Sequence, residues 1–119
     1  MEIKILKNDE SIYLMELVGA MDLYGSNQLR ELFMKMLENK IEHFIISLKE
    51  VDSMNSAGIG ALIFVSSTLK KMKCPLVIIA PEGPALQALE LTRLKSYFNI
   101  VSTLKDALVL AAEGLKKDQ

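Results

Sequence analysis

The stretch Lys49-Glu-Val-Asp-Ser-Met-Asn-Ser-Ala-Gly-Ile-Gly-Ala-Leu62 decides the fold, because polar residues in it join a strand-like run to a helix-like run. Before it, residues 44–48 form a continuous apolar run that is typical of a buried strand. After it, residues 61–71 have apolar side chains at helical spacing, and the side predicted to face inward carries Gly58, Leu62, Val65, Leu69 and Met72. Asn55 and Ser56 therefore lie where a strand passes into a helix.

This position has two interpretations that spacing alone does not separate. The first N–H groups of a helix have no partner within it and the helix dipole is positive there, so a hydroxyl is held well and a phosphate is held better. Ser56 would then be a functional residue. Equally, Ser56 or Asn55 is simply the N-cap, a position for which both residue types are preferred.

Composition favours a single domain, residues 1–119, with half of the residues apolar. A net charge of −1 offers no basic field, so we expect no nucleic-acid partner. Cys74 is the one cysteine, which excludes an intrachain disulfide and a cysteine metal site. Residues 1–4 already contain two charged side chains, Glu2 and Lys4, and the N-terminus lacks the apolar core of a signal peptide. We therefore expect a cytoplasmic protein.

One uncharged stretch is nearly as long as a membrane-spanning helix. Residues 53–69 contain 17 residues without a charge, close to the ~20 that span a bilayer. The serines, Asn55, Thr68 and two glycines within it favour a buried helix with one wet face. We therefore expect no membrane insertion.

The rest of the chain alternates strand and helix patterns. Strands are predicted at residues 2–7, 11–18, 44–48, 76–80 and 99–101, and helices at residues 26–39, after the serine loop to 71, at 84–93, and from a Thr103–Asp106 capping box onward. The short polar segment 8–10 predicts that the first two strands pair as an antiparallel hairpin. This order predicts an α/β fold, a mixed sheet of about five strands with a parallel core and four helices.

Ligand sites in such sheets collect beyond the carboxyl ends of the parallel strands. Residues 19–25, 49–55 and 81–84 are predicted loops there, so Asp22 would lie beside Ser56 if their strands are neighbours. The carboxylate of Asp22 would position a metal or orient the hydroxyl, or it is an exposed loop residue without a role. The sequence does not decide between these.

A small enzyme with Ser56 as nucleophile is disfavoured. The only histidine, His43, opens the third strand and should lie at the opposite edge of the sheet, so no base is near. The glycines lack the Gly-Lys-Ser/Thr of a phosphate-binding loop. Gly58 and Gly60 are better explained as permitting a tight start to the helix.

Nearly the whole chain resembles the STAS-domain proteins of the bacterial anti-sigma factor antagonist family. The family motif Asp-Ser-Ser/Thr-Gly-Leu/Ile-Gly is matched by residues 55–60, Asn-Ser-Ala-Gly-Ile-Gly, and a second element, Gly-x-x-Asp, by residues 19–22. Two positions depart from the pattern. Asn55 replaces the usual acid, and Ala57 replaces the usual second hydroxyl, which leaves Ser56 as the only acceptor in the motif.

The resemblance implies a cytoplasmic regulator, a monomer or weak dimer, that binds an anti-sigma factor with serine kinase activity. It implies that Ser56 is the phosphoacceptor, that a serine phosphatase removes the phosphate, and that Asp22, Asn55, Gly58 and Gly60 belong to the binding site. It implies no catalysis, cofactor or metal. The alternative is an unphosphorylated STAS subunit of a larger assembly, such as a membrane transporter complex.

Helical geometry adds two residues to the predicted partner surface. Steps of 100° per residue place Ile59 and Ile63 on the outward side with Ser56, so both should be at least partly exposed. An apolar pair beside a phosphorylatable hydroxyl suits a partner interface, although single exposed isoleucines are also ordinary.

Overall fold

The computed structural model describes residues 1–8 and 11–117, with side chains through Gly114, and it contains a five-stranded sheet of order β1-β2-β3-β4-β5. The elements are β1 (Glu2–Lys7), β2 (Tyr13–Met21), α1 (Leu23–Glu38), β3 (Phe44–Met54), α2 (Ser56–Lys71), β4 (Val77–Ile79), α3 (Pro84–Leu91), a 3-10 turn (Lys95–Tyr97), β5 (Asn99–Val101) and α4 (Leu104–Lys117). β1 is antiparallel to β2, and the other pairs are parallel. The predicted mixed sheet with four helices is confirmed for the described residues.

The alternation of side chains along the strands divides the core between the two faces of the sheet. On one face, Ile46, Leu48 and Ile78 pack with buried residues of α1, α2 and α3. On the other face, Ile45, Val77 and Ile79 pack against Ala107 of α4. Because the central strands are covered on both faces, their sequences are continuous apolar runs.

Two strands extend further than their apolar residues predict. We expected β2 to end at Val18 and β3 at Leu48, but they continue side by side to Met21 and Met54. Their backbones pair along the extension even though Lys49, Glu50, Asp52 and Ser53 are exposed. The predicted loops over residues 19–25 and 49–55 are therefore wrong, because inter-strand pairing with β2 overrides the weak strand preference of polar residues.

Helices α1 and α2 each begin two residues after the last residue of the preceding strand, with a single capping residue between. α1 begins at Leu23, three residues earlier than predicted, because Asp22 caps it. The third residue of each helix is a buried glycine, Gly25 in α1 and Gly58 in α2. A Cβ at Gly58 would lie 2.8 Å from the Met21 carbonyl oxygen, closer than real Cβ contacts permit.

Basic residues in the left-handed conformation follow the C-terminal caps of three helices. Lys40, Lys73 and Arg93 have φ near +60° after α1, α2 and α3, at the position where glycine is usual. The chain leaves α2 at this point, so Met72, which we predicted to face inward, is 38% exposed. Each basic residue carries the steric cost of a side chain at positive φ.

We predict that Lys40→Gly and Arg93→Gly each stabilise the protein by about 0.5–1 kcal/mol, because glycine removes a cost of about 1–2 kcal/mol and loses part of it again to chain entropy. Urea denaturation measures the change. Lys35→Gly is the matched control, since Lys35 is an exposed lysine within α1, where glycine should destabilise the protein by about 1 kcal/mol. Equal effects at Arg93 and Lys35 would contradict the interpretation.

Two glycines of α2 should respond in opposite directions to alanine. Gly58→Ala should destabilise the protein by more than about 1 kcal/mol, since the new methyl group meets the Met21 backbone. Gly60→Ala should stabilise it by roughly 0.5–1 kcal/mol, because the nearest atom to the new Cβ is a flexible Arg30 nitrogen at 3.4 Å. Thermal unfolding of the two variants beside wild type tests this contrast, and a stable Gly58→Ala protein would refute the close packing.

Candidate functional site

The site forms where the starts of α1 and α2 lie side by side at one edge of the sheet. Met21 and Met54 are neighbours in the last pair of β2 and β3. The Asn55 N–H donates to the Met21 carbonyl oxygen across this pair (3.4 Å). The structure therefore brings Asp22 and the Asn55-Ser56 motif to the same edge, as the sequence predicted for neighbouring strands.

The two polar residues at the strand ends are both N-caps. The Asp22 carboxylate accepts a hydrogen bond from the Gly25 N–H at 2.8 Å. The Asn55 side-chain oxygen accepts from the N–H groups of Ala57 (2.9 Å) and Gly58 (3.4 Å). The structure thus answers the question that spacing left open, because Asn55 is the cap and Ser56 is not.

Ser56 is the first residue of α2, and its side chain is exposed. The Asn55 side chain caps the N–H groups of Ala57 and Gly58, and the Ser56 hydroxyl makes no hydrogen bond within the described chain. It is neither a capping group nor a core residue. Chemically, this is an accessible hydroxyl at the positive end of a 16-residue helix.

Apolar side chains surround this polar edge. Leu23 is 65% exposed and Tyr24 is 81% exposed in the first turn of α1. Ile59 and Ile63 pack partly against the core and are otherwise accessible, which confirms the predicted partial exposure. We call this region the serine surface, and it comprises Asp22, Leu23, Tyr24, Asn55, Ser56, Ile59 and Ile63.

Sequence reasoning missed Leu23 and Tyr24. Both were assigned to a loop because the helix was predicted to begin at Ser26. A signal was available, since Asp22 and Gly25 repeat the cap-x-x-Gly spacing of Asn55 and Gly58. An N-cap at Asp22 places Leu23 and Tyr24 at the start of α1, beside the start of α2.

The two glycines in the motif have different surroundings. Gly58 is buried and lies against β2, which fits the predicted tight start of the helix. The same prediction is wrong for Gly60, which has open space apart from the tip of Arg30. Arg30 reaches across from α1, and its guanidinium carbon lies 5.3 Å from the centre of the Phe64 ring.

The chemistry of the serine surface differs from that of an acyl-transfer site. His43 lies just before β3, and Ser56 lies just after the other end of the strand. Since β3 has 11 residues in extended conformation, its length separates His43 from Ser56 by about 35 Å. Among the described residues, no group of three or more His, Cys, Asp or Glu side chains is arranged to hold a metal ion. His43 lines a cavity of about 450 Å³ at the opposite edge, together with Cys74 and Asn99.

Ser56 is exposed at the carboxyl end of β3, whereas the cavity that His43 lines is at the opposite edge of the sheet. No helix in the described ranges is both long and apolar enough to cross a membrane, and this includes α2 with its uncharged sequence.

Comparison with known proteins agrees with this geometry. The family model of the STAS domain matches residues 4–107. An anti-sigma factor antagonist from Mycobacterium paratuberculosis superimposes with a TM-score of 0.81 at 20% identity, over 93% of this chain and 95% of that one. A sulfate transporter family protein from Wolinella succinogenes has a TM-score of 0.77 at 15% identity, over 93% and 92% of the two chains.

Two solved structures of SpoIIAA are also similar, an anti-sigma factor antagonist in its unphosphorylated form and a Bacillus cell fate determinant in its phosphorylated form. The unphosphorylated form has a TM-score of 0.73 at 12% identity, over 95% of this chain and 99% of that one. The phosphorylated form has a TM-score of 0.65 at 14% identity, over 90% and 96%. At these identities the likeness to the solved structures is one of fold. The family-model match covers most of the sequence, and the chain belongs to the STAS domain family.

Proposed function

We propose that this STAS-domain protein is an anti-sigma factor antagonist, a binding module that sequesters an anti-sigma factor with serine kinase activity and is switched off by phosphorylation of Ser56. The observation that carries the proposal is the exposed Ser56 hydroxyl at the start of α2, without a hydrogen-bond partner in the described chain and with apolar side chains nearby. Such a hydroxyl is free to react with a kinase. The solved SpoIIAA structures, in unphosphorylated and phosphorylated forms, are consistent with a switch of this kind in the family.

The apolar part of the serine surface supports a protein partner. Exposed aromatic and aliphatic groups such as Tyr24 and Leu23 supply binding energy when a partner covers them. These exposed side chains suit a contact with another protein better than a small substrate, which is usually enclosed in a cleft or cavity. We propose binding, without catalysis, as the activity of this chain.

Phosphorylation would act on the interface and spare the fold. A phosphate adds a charge of about −1.5 to −2. At the start of α2 this charge is stabilising by roughly 0.3–1 kcal/mol, since it faces the positive end of the dipole. A partner packed on Ile59 and Ile63 would have to desolvate the same charge, which costs several kcal/mol without a matching cation. The modified protein should therefore stay folded and release its partner.

The neutral cap distinguishes this site from the family pattern. With Asn55 in place of an acid, α2 is capped by an amide, whereas α1 is capped by the carboxylate of Asp22, which the Gly25 N–H holds. A kinase for Ser56 would have to recognise the side-chain amide of Asn55. A serine phosphatase would remove the phosphate from Ser56 and so restore the active form. We propose that the module acts in the cytoplasm as a monomer or weak dimer.

A second function is favoured by the likeness to the sulfate transporter family protein, whose fold matches over nearly its whole chain. In that case the serine surface would bind a constitutive partner in a membrane transporter assembly, and Ser56 would stay unmodified. The missing acid at position 55 is the feature of the sequence that favours this alternative. Adjacent genes distinguish the two, since a serine kinase and sigma factor support the switch and transporter subunits support the assembly.

We predict that incubation with the candidate anti-sigma kinase and ATP labels Ser56 and weakens partner binding at least tenfold, which is about 1.4 kcal/mol. The melting temperature should stay within a few degrees of the unmodified value. Mass spectrometry locates the phosphate, and calorimetry gives Kd for both forms. Ser56→Asp should reproduce part of the loss, and Ser56→Ala should bind but not respond to the kinase.

Ser53→Ala is the matched control, because Ser53 is an exposed serine three residues before Ser56 and should not affect labelling. Label on another residue, or unchanged affinity with a large fall in melting temperature, would refute the switch. Absence of label with the true partner would favour the transporter-type subunit.

We predict that Tyr24→Ala lowers partner affinity at least tenfold while unfolding free energy changes by less than about 0.5 kcal/mol, since the ring is 81% exposed. Leu91→Ala is the control, because Leu91 is 85% exposed near the end of α3, away from the serine surface. Calorimetry with the anti-sigma factor compares them. Equal losses for the two variants would show that the serine surface is not the interface.

A further inference from the structure

Arg30 occupies an unusual position beside the proposed phosphoacceptor. It is half-buried on α1, yet its guanidinium makes no hydrogen bond or ion pair within the described ranges 1–8 and 11–117. Two neighbours of the guanidinium belong to α2. They are the Phe64 ring, 5.3 Å from the guanidinium carbon to the ring centre, and Gly60, whose Cβ would lie 3.4 Å from Nη2.

These neighbours place Arg30 on the face of α2 that carries Ser56. Ser56, Gly60 and Phe64 are spaced by four residues, so they follow one another along a single face of the helix. Adjacent members are about 6 Å apart along the axis. The guanidinium therefore lies one helical turn from Ser56, over the gap that the absence of a side chain at Gly60 leaves.

We propose that Arg30 is an internal phosphate receptor, which leaves Phe64 and pairs with the phosphate when Ser56 is phosphorylated. This inference rests on the proposed phosphorylation of Ser56 and adds the residue of this chain that receives the charge. The guanidinium fork matches two phosphate oxygens, and such charge-assisted pairs are about twice as strong as neutral hydrogen bonds. The arginine exchanges a cation–π contact for the pair.

The two lysines at the far end of α2 are less suitable than Arg30. Lys70 lies almost four turns along the helix, where its Nζ donates to the Tyr97 carbonyl oxygen (2.9 Å) and lies 3.6 Å from the centre of that ring. Lys71 is at the end of α2. Arg30 has no comparable polar partner in the described chain to hold it away from the serine.

The pairing has a consequence for the surface between α1 and α2. Arg30 and Phe64 line a shallow groove of about 370 Å³ with Glu31, Met34, Lys35 and Glu38. Movement of the guanidinium toward Ser56 uncovers the Phe64 ring in this groove. Phosphorylation would therefore alter the shape of the protein one to two turns beyond the modified residue, with no change in the backbone.

The test uses the full-length protein with phosphoserine installed at position 56 during synthesis, so that no kinase is required. Phosphorus NMR gives the second pKa of the phosphate, which is near 6 for an unpaired group. A cation paired with the phosphate lowers this pKa, so the value in wild type should be about one pH unit below that in Arg30→Gln. Lys35→Gln, a charge removed from the same helix, should match wild type.

A second readout follows the arginine itself. The side-chain nitrogen and the Phe64 ring signals should shift between the unmodified and phosphoserine forms of wild type, and 1 M salt should reduce the pKa difference. If the Arg30→Gln variant does not fold, Arg30→Met takes its place in the comparison of phosphate pKa values. Methionine keeps an apolar stem against Phe64 but carries no charge.

Equal phosphate pKa values in wild type and in the folded Arg30 variant, or Arg30 signals unchanged by phosphoserine, would overturn the inference. These results leave the switch itself untouched, since partner release needs only the phosphate. Conversely, a kinase that never labels Ser56 would refute the switch, whereas the lowered pKa in the synthetic phosphoprotein would still establish the Arg30 contact.

Discussion

The site depends on the close packing of the first turn of α2 against the end of β2. Gly58 has no side chain there, and the Met21 carbonyl oxygen takes the space that a Cβ would need. The same carbonyl accepts the Asn55 N–H, so backbone contacts from two parallel strands and one helix meet at a single residue. Ser56 is the residue after Asn55, and Asp22 is the residue after Met21. This backbone contact therefore determines where Ser56 lies relative to Asp22, without a contribution from the Ser56 side chain.

The capping residues determine which groups at this edge remain available. Asp22 and Asn55 use their side-chain oxygens on the first-turn N–H groups of α1 and α2. These helix starts are therefore stable without help from Ser56, whose hydroxyl is left exposed. Loss of a capping side chain costs about 0.5–2 kcal/mol, whereas a negative charge on Ser56 would be favourable at the start of α2.

In the function that we propose, recognition and regulation would use chemically different residues of the serine surface. The apolar groups, Leu23, Tyr24, Ile59 and Ile63, offer area to a partner, and the hydroxyl offers a place for charge. Arg30 belongs to α1, and its guanidinium lies against α2 about one turn beyond Ser56. It is a cation without an ion pair in the described structure. Under this proposal, an apolar interface, an acceptor and a nearby counter-charge would together form a surface whose affinity a single phosphate changes.

The sequence by itself determined the order of elements, the buried strands and the helical faces, because these follow from the local periodicity of apolar residues. Resemblance in residues 55–60 also located the serine. Only the tertiary structure decided that β2 and β3 extend to Met21 and Met54, since pairing between strands far apart in sequence outweighs the preferences of Lys49, Glu50 and Asp52. It likewise decided that Asn55 is the cap and that Arg30 lies over Gly60, because a contact between side chains on two helices depends on how those helices cross and leaves no periodic trace in either one.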